Sequence, residues 1–299
     1  MKRKHPSYLN LSEEEWKERI GKALEMLSHC EVCPHMCGVN RLENETGYCK
    51  TGRYVVVADY FPHRGEEKSI RGRRGSGTVF FSYCNMRCVY CQNYTISHLG
   101  EGEELRPEEL AEVFLSLQRL GCHNINLVSP SHVVPQILES LYLAVKGGLR
   151  IPIVYNTSSY DSLESLKLLH GIVDIYLADF KYADDHAGKK YSKVRDYHTV
   201  ALSAIREMHR QVGDLQLNAE GIAIKGLLIR HLLLPGSIAG TRKIMEELRA
   251  ISPRMAVNVM EQYMPYYQAH KYPELSRRID RREYEEALEY AEGLTLVMD

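Results

Sequence analysis

The sequence predicts an α/β protein, a partial (β/α)6 barrel with a C-terminal helix over residues 76–299, preceded by an N-terminal helix and a small Cys-rich segment over residues 1–75. Three observations carry this expectation. From Gly77 onward, short β-branched and aromatic runs alternate with runs of helical period, the pattern of strands covered on both faces and joined by right-handed helical crossovers. Six such pairs can be counted, fewer than the eight that close a full barrel. Seven of the eight cysteines fall in two tight groups, one of them wholly before residue 50.

The elements follow in order. GTVFFSY, from Gly77, is the first strand and runs directly into Cys84. RPEELAEVFLSLQRLG is the first crossover helix, with Pro107 in its opening turn and Gly121 after its end. NINLVS at Asn124 leads to PQILESLYLAVKGG, IPIVYNT at Ile151 to DSLESLKLLHG, and DIYLADF at Asp174 to YHTVALSAIREMHRQVG. LQLNAEGIAIKG then interrupts the alternation, and its NAEG turn predicts a hairpin before the fifth strand. GLLIRHLLL at Gly226, TRKIMEELRA and MAVNVMEQY at Met255 complete the set.

In a parallel barrel the functional groups gather where the strands end, and here those ends are polar. They carry Ser129 to His132, Asn156 to Ser159, Asp179 and Lys181, Arg230 and His231, and Asn258, Glu261 and Gln262. A cap or turn explains any one of these; five strands together point to a site.

Charge is balanced, with Lys+Arg 38 against Asp+Glu 39, so no global field draws the chain to nucleic acid or acidic lipid. RGRRGSG, from Arg71, could meet phosphate, but no aromatic residue is interleaved with it. A nucleic-acid partner is therefore not expected. With no apolar h-region behind MKRKHPSYLN and no apolar run of about 20 residues, no membrane association is expected and the cytoplasm is the expected location.

In a reducing compartment, clustered cysteines read as metal or iron–sulfur ligands rather than disulfides. Cys30, Cys33, Cys37 and Cys49 give C-x2-C-x3-C-x11-C, a complete set of four. Four thiolates make a closed site, zinc or an auxiliary 4Fe-4S cluster, that staples the segment or relays an electron. His35, inside that loop, is expected to face solvent. Cys122 stands alone and reads as a buried apolar residue. Cys84, Cys88 and Cys91, in SYCNMRCVYCQN, give only three ligands at C-x3-C-x2-C. Three thiolates can hold three irons of a 4Fe-4S cluster and leave the fourth iron free. A zinc knuckle completed by His98 is the competing reading.

The three-cysteine spacing at the end of the first barrel strand resembles the radical S-adenosylmethionine (SAM) superfamily. Within it, GTVFFSYCNMRCVYCQNYTIS, ADFK, LLIRHLLLPG and NVMEQYMP are similar to the relatives of pyruvate formate-lyase activating enzyme, over almost the whole chain. The resemblance implies that Cys84, Cys88 and Cys91 bind a 4Fe-4S cluster and that SAM chelates its free iron. One electron then cleaves SAM to methionine and a 5'-deoxyadenosyl radical, which takes a hydrogen atom from substrate. It further implies that Tyr90 packs near adenine, and that Asp179 and Lys181 hold the methionine end around Phe180. Asn156 and Ser158 would touch the SAM ribose or amino acid, and Arg230 occupies the position of an activating-enzyme Arg. Where those enzymes carry Gly-Gly-Glu this chain has SPSH, which leaves Ser129 and nearby backbone for the methionine ammonium.

The electron donor it implies is a ferredoxin or flavodoxin. The substrate is a glycyl residue of a partner protein, or else a peptide, nucleoside or small metabolite. A non-catalytic iron–sulfur or zinc protein is the third class. His63, Arg64, Glu66 and Glu67 form either a solvated charged loop or part of the site's mouth, and Glu261 to Arg278, rich in tyrosine, is expected to help wall the barrel's lateral opening.

Overall fold

The computed structural model describes residues 5–293 and the backbone of residues 295–296. The N-terminal helix α1 (Glu13–Ser28) starts at a capping box in which Ser12 and Glu15 satisfy each other's backbone amides. It buries Trp16, Ala23 and Leu27, with Trp16 packed 5.9 Å from the ring of Tyr142. The remaining elements in chain order are β1 (Val55–His63), α2 (Lys68–Arg71), β2 (Ser76–Phe81), β3 (Glu103–Leu105), α3 (Pro107–Arg119), β4 (Ile125–Val128) and α4 (Val134–Lys146). There follow β5 (Ile153–Thr157), α5 (Leu163–Leu169), β6 (Ile175–Asp179), α6 (Asp185–Ser192), α7 (Tyr197–Val212), β7 (Gln216–Leu217) and β8 (Ala223–Leu232). Last come α8 (Thr241–Ile251), β9 (Ala256–Met260), α9 (Arg281–Tyr290) and β10 (Thr295–Leu296).

One sheet runs in the order β10-β9-β8-β6-β5-β4-β2-β1-β3. The six strands expected from the sequence are β2, β4, β5, β6, β8 and β9, all mutually parallel. The NAEG hairpin is present as β7 antiparallel to β8, closed by Asn218 and Ile222. The sheet is nevertheless mixed, because β1 adds antiparallel to β2 and β3 antiparallel to β1. Residues 55–63, which the sequence places with the N-terminal segment, thus share the barrel's sheet. Helix α6 was also not anticipated. It is held by Asp184, whose side chain accepts from the Ala187 amide, and by Gly188, where a Cβ would lie 2.4 Å from the Cβ of Tyr197 on α7.

Register sorts the side chains between the two faces of the sheet. Tyr155, Tyr176, Ala178, Leu227, Ile229 and Val257 join the core under the helices. The opposite face has an apolar layer, with Val154, Ile175, Leu177, Leu228 and Ala256 packed around Ile70 of α2. Above it, toward the strand ends, Asp179, Arg230 and Asn258 stand abreast on β6, β8 and β9. The chain between β1 and β2 therefore fills this inner face, and its Glu67 accepts from Asn258 on β9 at 3.2 Å.

Ile70 is fully buried, so Ile70→Ala is expected to cost about 3 kcal/mol through lost transfer energy and a cavity. A denaturant titration reads this as a lower midpoint at unchanged slope; an unchanged midpoint would mean that the α2 segment does not brace the barrel. Among the described residues, no helix is long and apolar enough to cross a membrane.

Candidate active site and metal centres

The strand ends frame a cleft of about 180 Å³, lined among others by Cys84, Cys88, Cys91, Ser129, Asn156, Ser158, Asp179, Lys181 and Arg230. Nine of the ten predicted site residues outside the N-terminal group thus lie around one space, and Tyr90 alone does not. Tyr90 is buried behind the cysteine loop, its hydroxyl 2.6 Å from that of Tyr182 and its ring edge-on to Tyr263. Its place at the start of Tyr90-Cys91 turns it into the core while the thiols face the cleft. The spacing also did not reveal that Met86, Asn93, Ser97, His98, Val128 and Thr157 line the same cleft. Of SPSH only Ser129 reaches it. Ser131 bonds Thr157 and His132 bonds the Ser82 carbonyl, so both serve packing.

Acid and base are paired along one wall. Lys181 Nζ donates to Asp179 at 2.7 Å, and Arg230 Nε donates to the other Asp179 oxygen at 2.8 Å. Arg230 also donates to Asn156 Oδ1 at 2.6 Å and lies 3.6 Å from Glu66 and 4.0 Å from Glu67. Burial alone would raise the Asp179 carboxyl, but Arg230 and Lys181 outweigh it and hold it below the ordinary range. Burial raises Glu67, against the pull of Arg230, whereas His63 and Arg230 keep Glu66 below its ordinary value despite burial. The HRGEE loop is accordingly not a solvated charged loop. Its two carboxylates are buried and set the position of Arg230 from behind.

The three thiols suit an anionic iron–sulfur cluster. Each sulfur has a polar neighbour: the Met86 amide donates to Cys84 at 3.4 Å, Ser192 Oγ lies 3.0 Å from Cys88 and Ser97 Oγ 3.1 Å from Cys91. Burial pushes the free thiols up, Cys84 to about 12 and Cys88 to about 11, so cluster assembly must drive protons off them. His98 bonds Ser97 through Nδ1 and packs at a tilt against Tyr267, while burial and Arg87 pull it down to about 4. It stays neutral at ordinary pH. Within Glu261 to Arg278, Tyr267 stacks on Tyr94 and the Gln268 amide donates to the Val89 carbonyl, so this segment backs the cysteine loop.

Ser192 Oγ also lies 2.7 Å from the Tyr182 hydroxyl; with Tyr182 donating to it, the serine proton points at sulfur. A hydrogen bond of about 1 kcal/mol that favours the more negative cluster corresponds to about 40 mV for one electron. Ser192→Ala is expected to lower the cluster midpoint by that order in an EPR-monitored redox titration. An unchanged midpoint would make the Ser192 contact incidental.

The N-terminal group is equally organised. Cys30, Cys33 and Cys49 are buried and Cys37 half-buried. His35 does not face solvent as expected, because it contacts the Asn85 carbonyl at 2.7 Å and stacks on Tyr48 at 3.8 Å. Among the described residues, no three His, Cys, Asp or Glu side chains converge on a point that a single ion could fill.

Residues 78–226 match a family described as the Radical SAM superfamily. The uncharacterized protein MJ0674 of Methanocaldococcus jannaschii is 33% identical over 293 residues, 94% of this chain and 80% of that protein. Methylornithine synthase (PylB) has the same fold at a TM-score of 0.50 and 15% identity, over 98% of this chain and 72% of that one. Streptococcus suis SuiB bound to precursor peptide SuiA gives 0.49 at 12% identity, with 73% of this chain spanning only 46% of SuiB. Given that family match over residues 78–226 and the three-thiol loop closing its first parallel strand, the chain belongs to the radical SAM superfamily.

Proposed function

We propose that this chain binds SAM across its strand ends, cleaves it reductively, and uses the resulting 5'-deoxyadenosyl radical to take hydrogen from a substrate. The observation that carries the reading is the cleft. It places three thiols on one wall and a charged pair, Asp179 with Lys181, on another. The cluster, once assembled on the thiols, supplies one electron to the sulfonium of SAM. Asp179, held ionised, and the Ser129 and Asn156 groups suit the ammonium and hydroxyls of SAM; Lys181 suits its carboxylate. Cys30, Cys33, Cys37 and Cys49 are the candidate ligands of a second metal, and a ferredoxin or flavodoxin is the expected electron donor.

The substrate separates two readings. Activation of a glycyl radical enzyme needs an opening along the barrel's side wide enough for a polypeptide loop. Here the chain from Glu66 to Ile70 reaches from the β1 side to Asn258 on β9 and packs into the inner face. That filling favours a peptide end, nucleoside or small metabolite entering above the strand ends. The test is anaerobic reconstitution with iron and sulfide, reduction with SAM present, and assay of 5'-deoxyadenosine. Its formation supports the reading, and its absence from a fully loaded, reduced protein would sink it.

A further inference from the structure

The cleft makes no use of RGRRGSG, Arg71 to Gly77. This run leaves α2 and enters β2, so it lies where the parallel strands begin, at the opposite end of β2 from the cysteine loop. There Lys68, Arg71, Arg73, Arg74 and His123 line a cavity of about 740 Å³, together with the β7–β8 turn at Glu220 to Ile222. The volume is that of a small-molecule site, and no lining residue is shared with the cleft.

The charge of this cavity is one-sided. Four cations face a single carboxylate, that of Glu220. Among the described residues Arg71, Arg73 and Arg74 form no ion pair, whereas Arg210, Arg242, Arg281 and Arg282 each hold a glutamate. Arg71 instead donates to carbonyls, those of Glu66 at 3.1 Å and Gly72 at 3.2 Å. Like charges gathered around one space repel unless something negative lies between them.

A second observation is independent of net charge. The Arg74 amide lies 3.4 Å from His123 Nε2, and Arg74 Nη2 lies 3.4 Å from His123 Nδ1. A neutral imidazole accepts at one nitrogen and donates at the other. Whichever nitrogen accepts, the other N–H therefore meets an N–H of Arg74, and an anion beside the two donors would serve both. Gly72 keeps the space open. Its φ is +48°, and a Cβ there would lie 2.6 Å from both His123 Nε2 and Ile222 Cδ1.

We propose that this cavity binds the pyrophosphoryl group of a small molecule, held by Arg71, Arg73 and Arg74 with the Arg74–His123 donors completing the site. Guanidinium forks match phosphate oxygens two at a time, and several cations around one space call for more than one negative charge. A nucleic acid fits less well: no aromatic ring lines the cavity for a base to stack on, and the net charge of the chain is −1. The site is independent of the chemistry assigned to the cleft.

The experiment titrates the full chain, purified without phosphate or sulfate, with pyrophosphate, inorganic phosphate, ADP and a single-stranded oligoribonucleotide in a calorimeter. Pyrophosphate is expected to bind one-to-one, at least about tenfold more tightly than inorganic phosphate. Arg73→Gln is expected to weaken it about tenfold and Arg73→Gln/Arg74→Gln about a hundredfold, each lost charged hydrogen bond counting about a factor of ten. ADP binding no tighter than pyrophosphate assigns the bare pyrophosphoryl group and tighter binding a nucleotide; both uphold the site. Arg73 and Arg74 are exposed, so both variants are expected to fold. Pyrophosphate should also raise the denaturant midpoint of wild type but not of the double variant. Should the double variant fail to fold, Arg73→Gln alone decides. No binding by wild type, wild-type affinity in the variants, or an oligoribonucleotide bound more tightly than pyrophosphate through the same arginines would overturn the inference.

Discussion

Cys88→Ala is expected to abolish 5'-deoxyadenosine formation, by at least about a hundredfold, together with the iron of the Cys84–Cys88–Cys91 centre. Cys88 sits between the other two thiols in sequence, and with them it lines the cleft. Two thiolates cannot hold three irons, so the variant loses the centre rather than merely altering it. The loss exceeds the 10–100-fold typical of outer-shell changes because a ligand itself is removed. Cys88→Ser should not rescue, since a hydroxyl is a poor ligand for this soft-metal chemistry although it matches the thiol in shape. The fold is expected to survive in both, because the loop is also anchored by backbone bonds from Arg87 and Val89 to the carbonyls of Ser192 and Tyr191. Iron analysis beside the product assay checks both halves: product formed at the wild-type rate by either variant would remove Cys88 from the cluster.

What could be read from the sequence was what is local. The six parallel strands announce themselves by β-branched runs and the thiol loop by its spacing, and both signals lie within a dozen residues. The strand ends were equally legible, since a polar residue closing an apolar run is visible in one line of sequence. The sequence was silent where the partner is remote. His35 looked like a solvent-facing loop residue because the carbonyl it meets lies 50 positions away. Glu67 looked like part of a charged loop because Asn258 lies 191 positions away. β1 was missed for a different reason: its burial fades from Val55 to the exposed Tyr60 and Phe61, so it lacks the even pattern of the central strands. α6 has eight residues, too few for a helical period to show, and depends on the close approach of Gly188 to Tyr197. Tyr90 turns away from the cleft although Cys91 faces it, because adjacent residues in an irregular loop need not share a face.

Arg230→Met is expected to lower stability by about 3–5 kcal/mol and also to weaken SAM binding, and the two effects have separable origins. The guanidinium is the common partner of Asp179, Glu66 and Glu67, with only 18% of its side chain exposed. Removing one member of a mostly buried charge cluster leaves the others uncompensated, which costs more than the net worth of the pair. Burial already raises Glu67, so the uncompensated charge falls mainly on Asp179 and Glu66, the two carboxyls held below their ordinary range. Glu66→Gln in the Arg230→Met background should therefore recover part of the stability, with a coupling energy of about 1–3 kcal/mol in a double-mutant cycle. It should recover none of the SAM affinity, because Glu66 stands behind Arg230 and outside the cleft lining. Arg230→Lys keeps the charge but cannot span Asp179 and Asn156 together, so it should restore stability more than binding. Denaturant midpoints and SAM titrations on wild type, Arg230→Met, Glu66→Gln, the double variant and Arg230→Lys test this division. Full stability in Arg230→Met would reduce the buried carboxylates to bystanders and leave Arg230 as a ligand contact alone.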